Sequence, residues 1–167
     1  EPYAAFDFVG KNTDNGYSVW ASNVIYNETM KKYVMYFCTT SSYVKSTLCF
    51  ATADNIEGPY TYVDTILYSG YGKSNISETN LYDVLGKNAD ISRYLEYGGY
   101  NNKEWPNCID PAIFTDADGR LWMNYGSWSG GIFLLEIDPA TGYPIYPVDD
   151  KDADPYYGYR LIGGGHH

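Results

Sequence analysis

The sequence repeats one pattern, in which short runs of apolar, aromatic and β-branched residues are separated by turn residues. Four such runs follow one another between residues 20 and 68, and a second set of four lies between residues 107 and 147. Runs of four to eight residues with this composition predict β-strands. Because the connections carry turn chemistry, we expect each set to fold as an antiparallel meander.

The eight predicted strands are residues 23–27, 32–38, 47–52 and 60–63 in the first set, and 109–115, 121–125, 132–137 and 143–146 in the second. Residues 1–19 show no sustained periodicity and are interpreted as a loop or tail. Residues 69–106 are too long for a simple connection, and we expect one or two short helices within them, around residues 81–85 and 91–97.

Repeated four-stranded meanders are typical of the blades of a β-propeller. The fold class is therefore predicted as all-β, with about two antiparallel blades, at residues 20–68 and 107–147, and an insertion at residues 69–106. Propellers have about four to eight blades, so two blades do not close a ring. We expect residues 1–167 to form one partial propeller domain that a further segment or a second chain completes.

Composition excludes some partners and leaves others open. Eleven basic residues against twenty-one acidic ones give a net charge of -10, which would repel a nucleic acid and favours a neutral or cationic partner. No apolar run is long enough to span a membrane. Twenty tyrosines suit a sugar-binding surface and a tyrosine-rich sheet equally well.

Three cysteines and one acidic run are candidates for special sites. Cys38, Cys49 and Cys108 have no metal-ligand spacing, and we interpret all three as small buried hydrophobes. Cys38 and Cys49 fall on adjacent predicted strands and are candidates for cross-strand neighbours. Residues 149–154 lack the ligand spacing and the glycine of a calcium loop, so this acidic run is interpreted as a solvated charge run and no metal site is predicted in the chain.

From the residues alone, Asp110 is the best single candidate for chemistry, because Ile109 and Pro111 hold its carboxylate between apolar neighbours. The alternative is an ordinary turn-forming aspartate in front of a proline.

Four motifs in order resemble those of the family 43 glycoside hydrolases, which are five-bladed β-propellers, and most closely those of the endo-α-1,5-L-arabinanases. The motifs are Trp20-Ala21-Ser22-Asn23-Val24, Asn107-Cys108-Ile109-Asp110-Pro111, Tyr125-Gly126-Ser127-Trp128-Ser129-Gly130-Gly131-Ile132 and the segment from Tyr157 to His166. Ser22 and Asn23 replace the family's proline and aspartate, and Cys108 replaces a small apolar residue. The resemblance favours a native origin for His166 and His167 over a purification tag.

The resemblance implies hydrolysis of α-1,5-linked arabinan in plant cell walls with inversion of configuration. Inversion needs a general acid and a general base about 6.5–9.5 Å apart. Asp110 matches a third carboxylate, which raises the pKa of the acid and orients it. The resemblance places the base before Glu1 and the acid after His167, so we expect this chain alone to be inactive.

The resemblance also implies a substrate site and a cation. Trp20 and Tyr43 match aromatic residues that stack on the sugar, although both could instead pack within the blades. We expect Ile109, Ser127 and Trp128 to line the same central pit. The family holds a cation, expected to be calcium, or a water cluster in the central channel, with ligands that lie outside this chain.

Two alternative functions remain open at the level of sequence. An exo-acting β-xylosidase or α-arabinofuranosidase would have the same fold, and a non-catalytic carbohydrate-binding propeller fragment would have no activity. The resemblance implies a secreted or periplasmic protein.

Overall fold

The computed structural model describes residues 4–42 and 44–163. The first sheet is antiparallel and follows chain order. Its strands are β1 (Ser18–Asn27), β2 (Lys32–Thr40), β3 (Ser46–Ala53) and β4 (Thr61–Ser69). A short helix, α1 (Ala4–Val9), precedes this sheet, so the interpretation of residues 1–19 as a loop or tail is wrong in part. The helix forms because Phe8 and Val9 are buried, with the ring of Phe8 5.0 Å from that of Tyr68.

The second sheet is also antiparallel and contains the strands β7 (Ala112–Thr115), β8 (Leu121–Gly126), β9 (Gly131–Ile137), β10 (Pro144–Ile145) and β11 (Tyr159–Gly163). The order is β10-β9-β8-β7, and β11 pairs with the other end of β9. The fourth strand position is therefore divided between two short segments, whereas one strand at residues 143–146 was predicted. These two antiparallel sheets confirm the all-β fold class, as part of a β-propeller.

A packed insertion connects the sheets. It contains α2 (Leu81–Leu85), two single-turn 3-10 helices (Ile76–Glu78 and Ser92–Tyr94) and a small hairpin of β5 (Leu95–Glu96) and β6 (Gly99–Tyr100). The helix predicted at residues 81–85 is confirmed. The one predicted at residues 91–97 is a single 3-10 turn, because Tyr97 and Gly98 have φ values of +52° and +85° and turn the chain into the hairpin.

Tyrosine rings fill the space between the sheets and the insertion. Among the described residues, the fully buried tyrosines are Tyr36, Tyr71, Tyr94, Tyr125, Tyr156 and Tyr157. The hydroxyl of Tyr157 donates to the carbonyl of Tyr68 at 2.7 Å, and that of Tyr125 donates to the carbonyl of Tyr157 at 2.7 Å. Composition left a sugar-binding surface and a tyrosine-rich sheet equally open, and these six rings lie in the core rather than at the surface.

The three cysteines are free and buried, which confirms their interpretation as small hydrophobes. Cys38 lies opposite Leu48, and Cys49 lies opposite Phe37. Residues directly opposite in an antiparallel pair share a face, and successive residues alternate between faces. Cys38 and Cys49 therefore point to opposite faces of the first sheet, and the expectation that they are cross-strand neighbours is wrong.

Asp154 is buried, so the interpretation of residues 149–154 as a solvated charge run is wrong at its last position. Its carboxylate accepts backbone N–H groups from Tyr156 at 3.0 Å and Tyr157 at 2.7 Å. It also accepts the hydroxyl of Tyr94 at 3.1 Å and lies 3.3 Å from the guanidinium of Arg93. Asp154 thereby connects the insertion to the turn before β11.

No helix in the described part of the chain is long and apolar enough to cross a membrane.

The hydroxyl of Tyr36 links β2 to the turn after β9, because it donates to the carbonyl of Gly142 at 2.8 Å in a buried setting. We expect Tyr36→Phe to lower the free energy of unfolding by about 1–3 kcal/mol, since the buried carbonyl loses its donor. Urea unfolding of the chain measures the loss. Tyr26→Phe, at an exposed position on β1, is the control, and equal midpoints for the two variants would contradict the prediction.

Burial raises the pKa of Asp154 above its ordinary value of 3.8, against the opposing effects of the backbone N–H groups and Arg93. The folded chain therefore holds this proton more tightly than the unfolded chain. Protonated Asp154 stabilises the fold fully at a pH below the pKa that this carboxyl has in the unfolded chain. The stabilisation is lost as the pH rises through its higher pKa in the folded chain.

Asp154→Asn removes this titration. We therefore expect the free energy of unfolding of the variant to lie further below that of the parent at about pH 4 than at about pH 7. Urea unfolding of both chains at the two pH values provides the measurement. If the difference in unfolding free energy between parent and variant does not change with pH, or grows toward neutral pH, the expected direction of the pH dependence is wrong.

Candidate active site

Asp110 occupies a strained backbone position immediately before β7. Its φ is +53°, in the left-handed region that costs a non-glycine residue about 1–3 kcal/mol. Neighbouring backbone bonds hold it there, since the N–H of Ile109 donates to the carbonyl of Asn107 at 2.9 Å and the N–H of Gly126 donates to the carbonyl of Ile109 at 2.9 Å. Ile109 is buried while Asp110 is exposed, so the motif presents the carboxylate at the surface.

This geometry also explains why β7 begins later than predicted. Pro111 has no N–H to donate to a ladder, and Asp110 has left-handed rather than extended backbone angles. The first paired residue is Ala112, opposite Asn124.

Ser127 orients the carboxylate of Asp110. Its hydroxyl donates to Oδ2 of Asp110 at 3.0 Å. Ser127 belongs to a turn in which four successive residues have positive φ, with values of +97° at Gly126, +133° at Ser127, +56° at Trp128 and +49° at Ser129. Strain of this kind concentrates at functional sites, where the surrounding structure maintains it. Ser127 was predicted only to line the central pit, and the structure places its hydroxyl in direct contact with Asp110.

Trp20 lies on β1 opposite Cys38, next to an irregularity in register between Trp20 and Ser22. A β-bulge of this kind re-aims side chains at the edge of a sheet. The side chain of Trp20 is 55% exposed and borders two cavities. One, of about 410 Å³, is lined by apolar residues that include Met35 and Phe37. The other, of about 430 Å³, is lined by polar residues that include Asn12, Asp14, Ser18 and Thr40.

Cys38 brings the motifs of Trp20 and Asp110 together. Burial raises the pKa of the Cys38 thiol to about 11, while backbone groups of Asp110 and Trp20 act in the opposite direction. The buried sulfur thus lies against the backbone of both residues. Sequence reasoning assigned Cys38 no role at this site, because it is one apolar residue among many on β2.

Ser69, at the end of β4, anchors the motif that contains Asp110. Its hydroxyl donates to Oδ1 of Asn107 at 3.3 Å, and the backbone N–H of Cys108 donates to the Ser69 hydroxyl at 3.0 Å. All three residues are buried. Sequence reasoning missed Ser69, because the fourth strand was predicted to end at residue 63 rather than at Ser69.

The predicted site residues have different settings. Trp128 is 68% exposed beside Ser127, and Ile109 lies buried beneath Asp110. Tyr43 lies outside the described residues, as do His166 and His167. Within residues 4–42 and 44–163, no three His, Cys, Asp or Glu side chains form a group that could hold a metal ion. Calcium in the central channel thus stays a prediction.

Comparison with known proteins supports the resemblance in sequence and in fold. The chain matches no family model. It is 36% identical over 148 residues to an extracellular endo-α-(1→5)-L-arabinanase of Thermotoga petrophila, which covers 89% of this chain and 27% of the relative. It is also 36% identical over 149 residues to an extracellular endo-α-(1→5)-L-arabinanase of Bacillus subtilis, covering 89% of this chain and 26% of that relative.

Among solved structures, a family 43 glycoside hydrolase from Bacillus licheniformis superposes with a TM-score of 0.70 at 34% identity, covering 97% of this chain and 30% of that one. The endo-1,5-α-L-arabinanase of Thermotoga petrophila superposes with a TM-score of 0.67 at 34% identity, with the same coverage of 97% and 30%.

The two antiparallel sheets and the motif of Asp110 therefore correspond to part of the β-propeller of these solved structures. The chain is similar in sequence and in fold to family 43 glycoside hydrolases, and the resemblance to their endo-arabinanases is confirmed. It spans about a quarter of the length of the curated relatives that it matches.

Close packing at Gly126 maintains the strained turn of the site. A Cβ atom at this position would lie 2.4 Å from the carbonyl oxygen of Gly131, and its φ is +97°. Gly86 has nearly the same φ, +98°, but a Cβ atom there would meet nothing within 4 Å. Alanine substitutions at the two glycines therefore separate the destabilisation caused by a positive φ from the destabilisation caused by the close approach of Gly131.

We expect Gly126→Ala to destabilise the chain by about 1–3 kcal/mol more than Gly86→Ala, because only the first substitution forces two backbone segments apart. Urea unfolding of both variants measures the difference. Equal losses would mean that the close approach does not maintain the turn.

Proposed function

We propose that the protein containing this chain is an endo-acting arabinanase that hydrolyses α-1,5-linked arabinan of plant cell walls with inversion. The observation that carries the proposal is the exposed carboxylate of Asp110, held by a strained backbone and by Ser127. It lies in a motif shared with the endo-arabinanases. The names of the two relatives that match 89% of the chain support the same activity.

In this proposal Asp110 acts on the general acid rather than on the substrate. A carboxylate close to a second carboxyl group disfavours ionisation of that group, which keeps it protonated and able to donate a proton to the leaving oxygen. The hydroxyl of Ser127 occupies Oδ2 of Asp110 and leaves Oδ1 available to a further partner. The general acid and the general base would belong to the remaining blades, on the same polypeptide or on a second chain.

The substrate would rest on aromatic rings. We propose that the exposed ring of Trp20 stacks on a sugar and that Trp128 contributes a second apolar face, with Tyr43 completing the surface. Ile109, predicted to line the same pit, is buried and would support Asp110 from beneath. The net charge of -10 favours a neutral polysaccharide such as arabinan over an anionic one. Calcium in the central channel, with ligands from the remaining blades, is part of the same proposal.

The exo-acting and the non-catalytic alternatives are not favoured. Both relatives matched over most of the chain carry endo-arabinanase names, and a binding fragment gives no reason for the strain at Asp110 and Ser127. Both relatives are also named extracellular, which supports a secreted protein, with the periplasm as the other proposed location.

Asp110→Asn in the complete protein tests the proposed role. We expect turnover of debranched arabinan to fall by about 10²–10⁴-fold, because the general acid loses the charge that keeps it protonated. Binding of arabino-oligosaccharides should change little, since Asn keeps the size and an acceptor oxygen. Reducing-sugar release and calorimetry measure the two quantities.

Asp118→Asn, in an exposed turn of the same sheet, is the matched control and should retain full turnover. Unchanged activity of Asp110→Asn would refute the role of Asp110. The products of the parent enzyme decide the mode of action, because an endo enzyme releases oligosaccharides of mixed length and monosaccharide alone would indicate an exo enzyme.

A further inference from the structure

The side chain of Asn23 joins the first strands of the two sheets. Oδ1 of Asn23, on β1, accepts the backbone N–H of Ile113, on β7, at 3.0 Å. In the sheet order, β7 pairs with β8 on one side only, so its other edge presents backbone groups that need partners. Asn23 satisfies one of these groups from the neighbouring sheet.

The bond from Ile113 to Asn23 lies three residues after the key residue of each motif. Asn23 follows Trp20 by three residues on β1, and Ile113 follows Asp110 by three residues at the start of β7. A displacement of one strand at this bond would therefore alter the position of Trp20 relative to Asp110.

The orientation of Asn23 is set by its pairing within the first sheet. After the irregularity between Trp20 and Ser22, Asn23 lies opposite Tyr36. Residues directly opposite in an antiparallel pair share a face, and Tyr36 faces the second sheet because its hydroxyl donates to the carbonyl of Gly142. The register of β1 thus aims the amide of Asn23 at β7.

We propose that Asn23 is a positioning residue that fixes the distance between the sugar-stacking ring of Trp20 and the carboxylate of Asp110. The proposal rests on the proposed arabinanase function. Cys38, which lies against the backbone of both residues, supplies packing between them but no directional constraint. The hydrogen bond from Ile113 to Asn23 supplies that constraint, and any side chain with an acceptor oxygen at the same reach would preserve it.

Two substitutions separate the bond from the packing. Asn23→Leu keeps the size of the side chain and removes the acceptor, whereas Asn23→Asp keeps the acceptor. In the complete protein we expect Asn23→Leu to lower kcat on debranched arabinan by about 10²-fold, because a misplacement of about 1 Å has effects of this size. Asn23→Asp should restore kcat to within a few-fold of the parent. Thr115→Val, at an exposed position on β7, is the control and should leave kcat unchanged.

A second measurement does not depend on activity. In the complete protein, hydrogen exchange followed by NMR should show the Ile113 amide protected in the parent and in Asn23→Asp, and exposed in Asn23→Leu. The indole resonance of Trp20 should shift in Asn23→Leu alone.

The two proposals fail in different ways. If the parent protein does not hydrolyse arabinan, the proposed function fails, and the exchange of Ile113 together with the indole shift of Trp20 decides the positioning role by itself. If Asn23→Leu lowers thermal stability but keeps the parental kcat and the parental Trp20 resonance, the bond is merely structural and the inference is overturned. Unaltered exchange of Ile113 in Asn23→Leu overturns it as well.

Discussion

The packing of tyrosine rings between the two sheets is the interaction on which the rest of the structure depends. The rings fill apolar space, and the hydroxyls of Tyr36, Tyr125 and Tyr157 donate to the backbone carbonyls of Gly142, Tyr157 and Tyr68 respectively. Burial raises the pKa of Tyr125 and Tyr157 well above the ordinary value of 10.0, so both remain neutral donors. Phenylalanine would fill the same space but would leave these carbonyls without a donor.

The tyrosine packing between the two sheets also determines where a strained backbone can be maintained. Asp110 and Ser127 adopt unfavourable backbone angles at the surface, directly above buried residues such as Ile109 and Cys38. The packed layer below fixes the ends of the strained segments, so relaxation would require movement of the core. The carboxylate is consequently presented in one orientation before any substrate arrives, which is the condition for efficient catalysis by positioned charge.

Local sequence signals predicted the strands and α2, because strand periodicity and turn chemistry depend on neighbouring residues. They did not predict α1, the divided fourth strand or the burial of Asp154, each of which depends on partners far away in the sequence. The contact between Asp110 and Ser127 spans seventeen residues and could be anticipated only from family motifs. The bond from Ile113 to Asn23 spans ninety residues and had no local signal.

The replacement of the family's aspartate by Asn23 is consistent with the geometry of that bond. Ile113 needs an acceptor oxygen at its N–H, and an amide oxygen accepts this bond as a carboxylate oxygen does. The amide adds no negative charge to a chain that already carries a net charge of -10. A charged acceptor would make a stronger bond. It would also place a second negative charge on β1, beside β7 and therefore near Asp110, which precedes β7. Asn23 therefore makes the contact between the sheets without adding a second carboxylate to the strand beside β7.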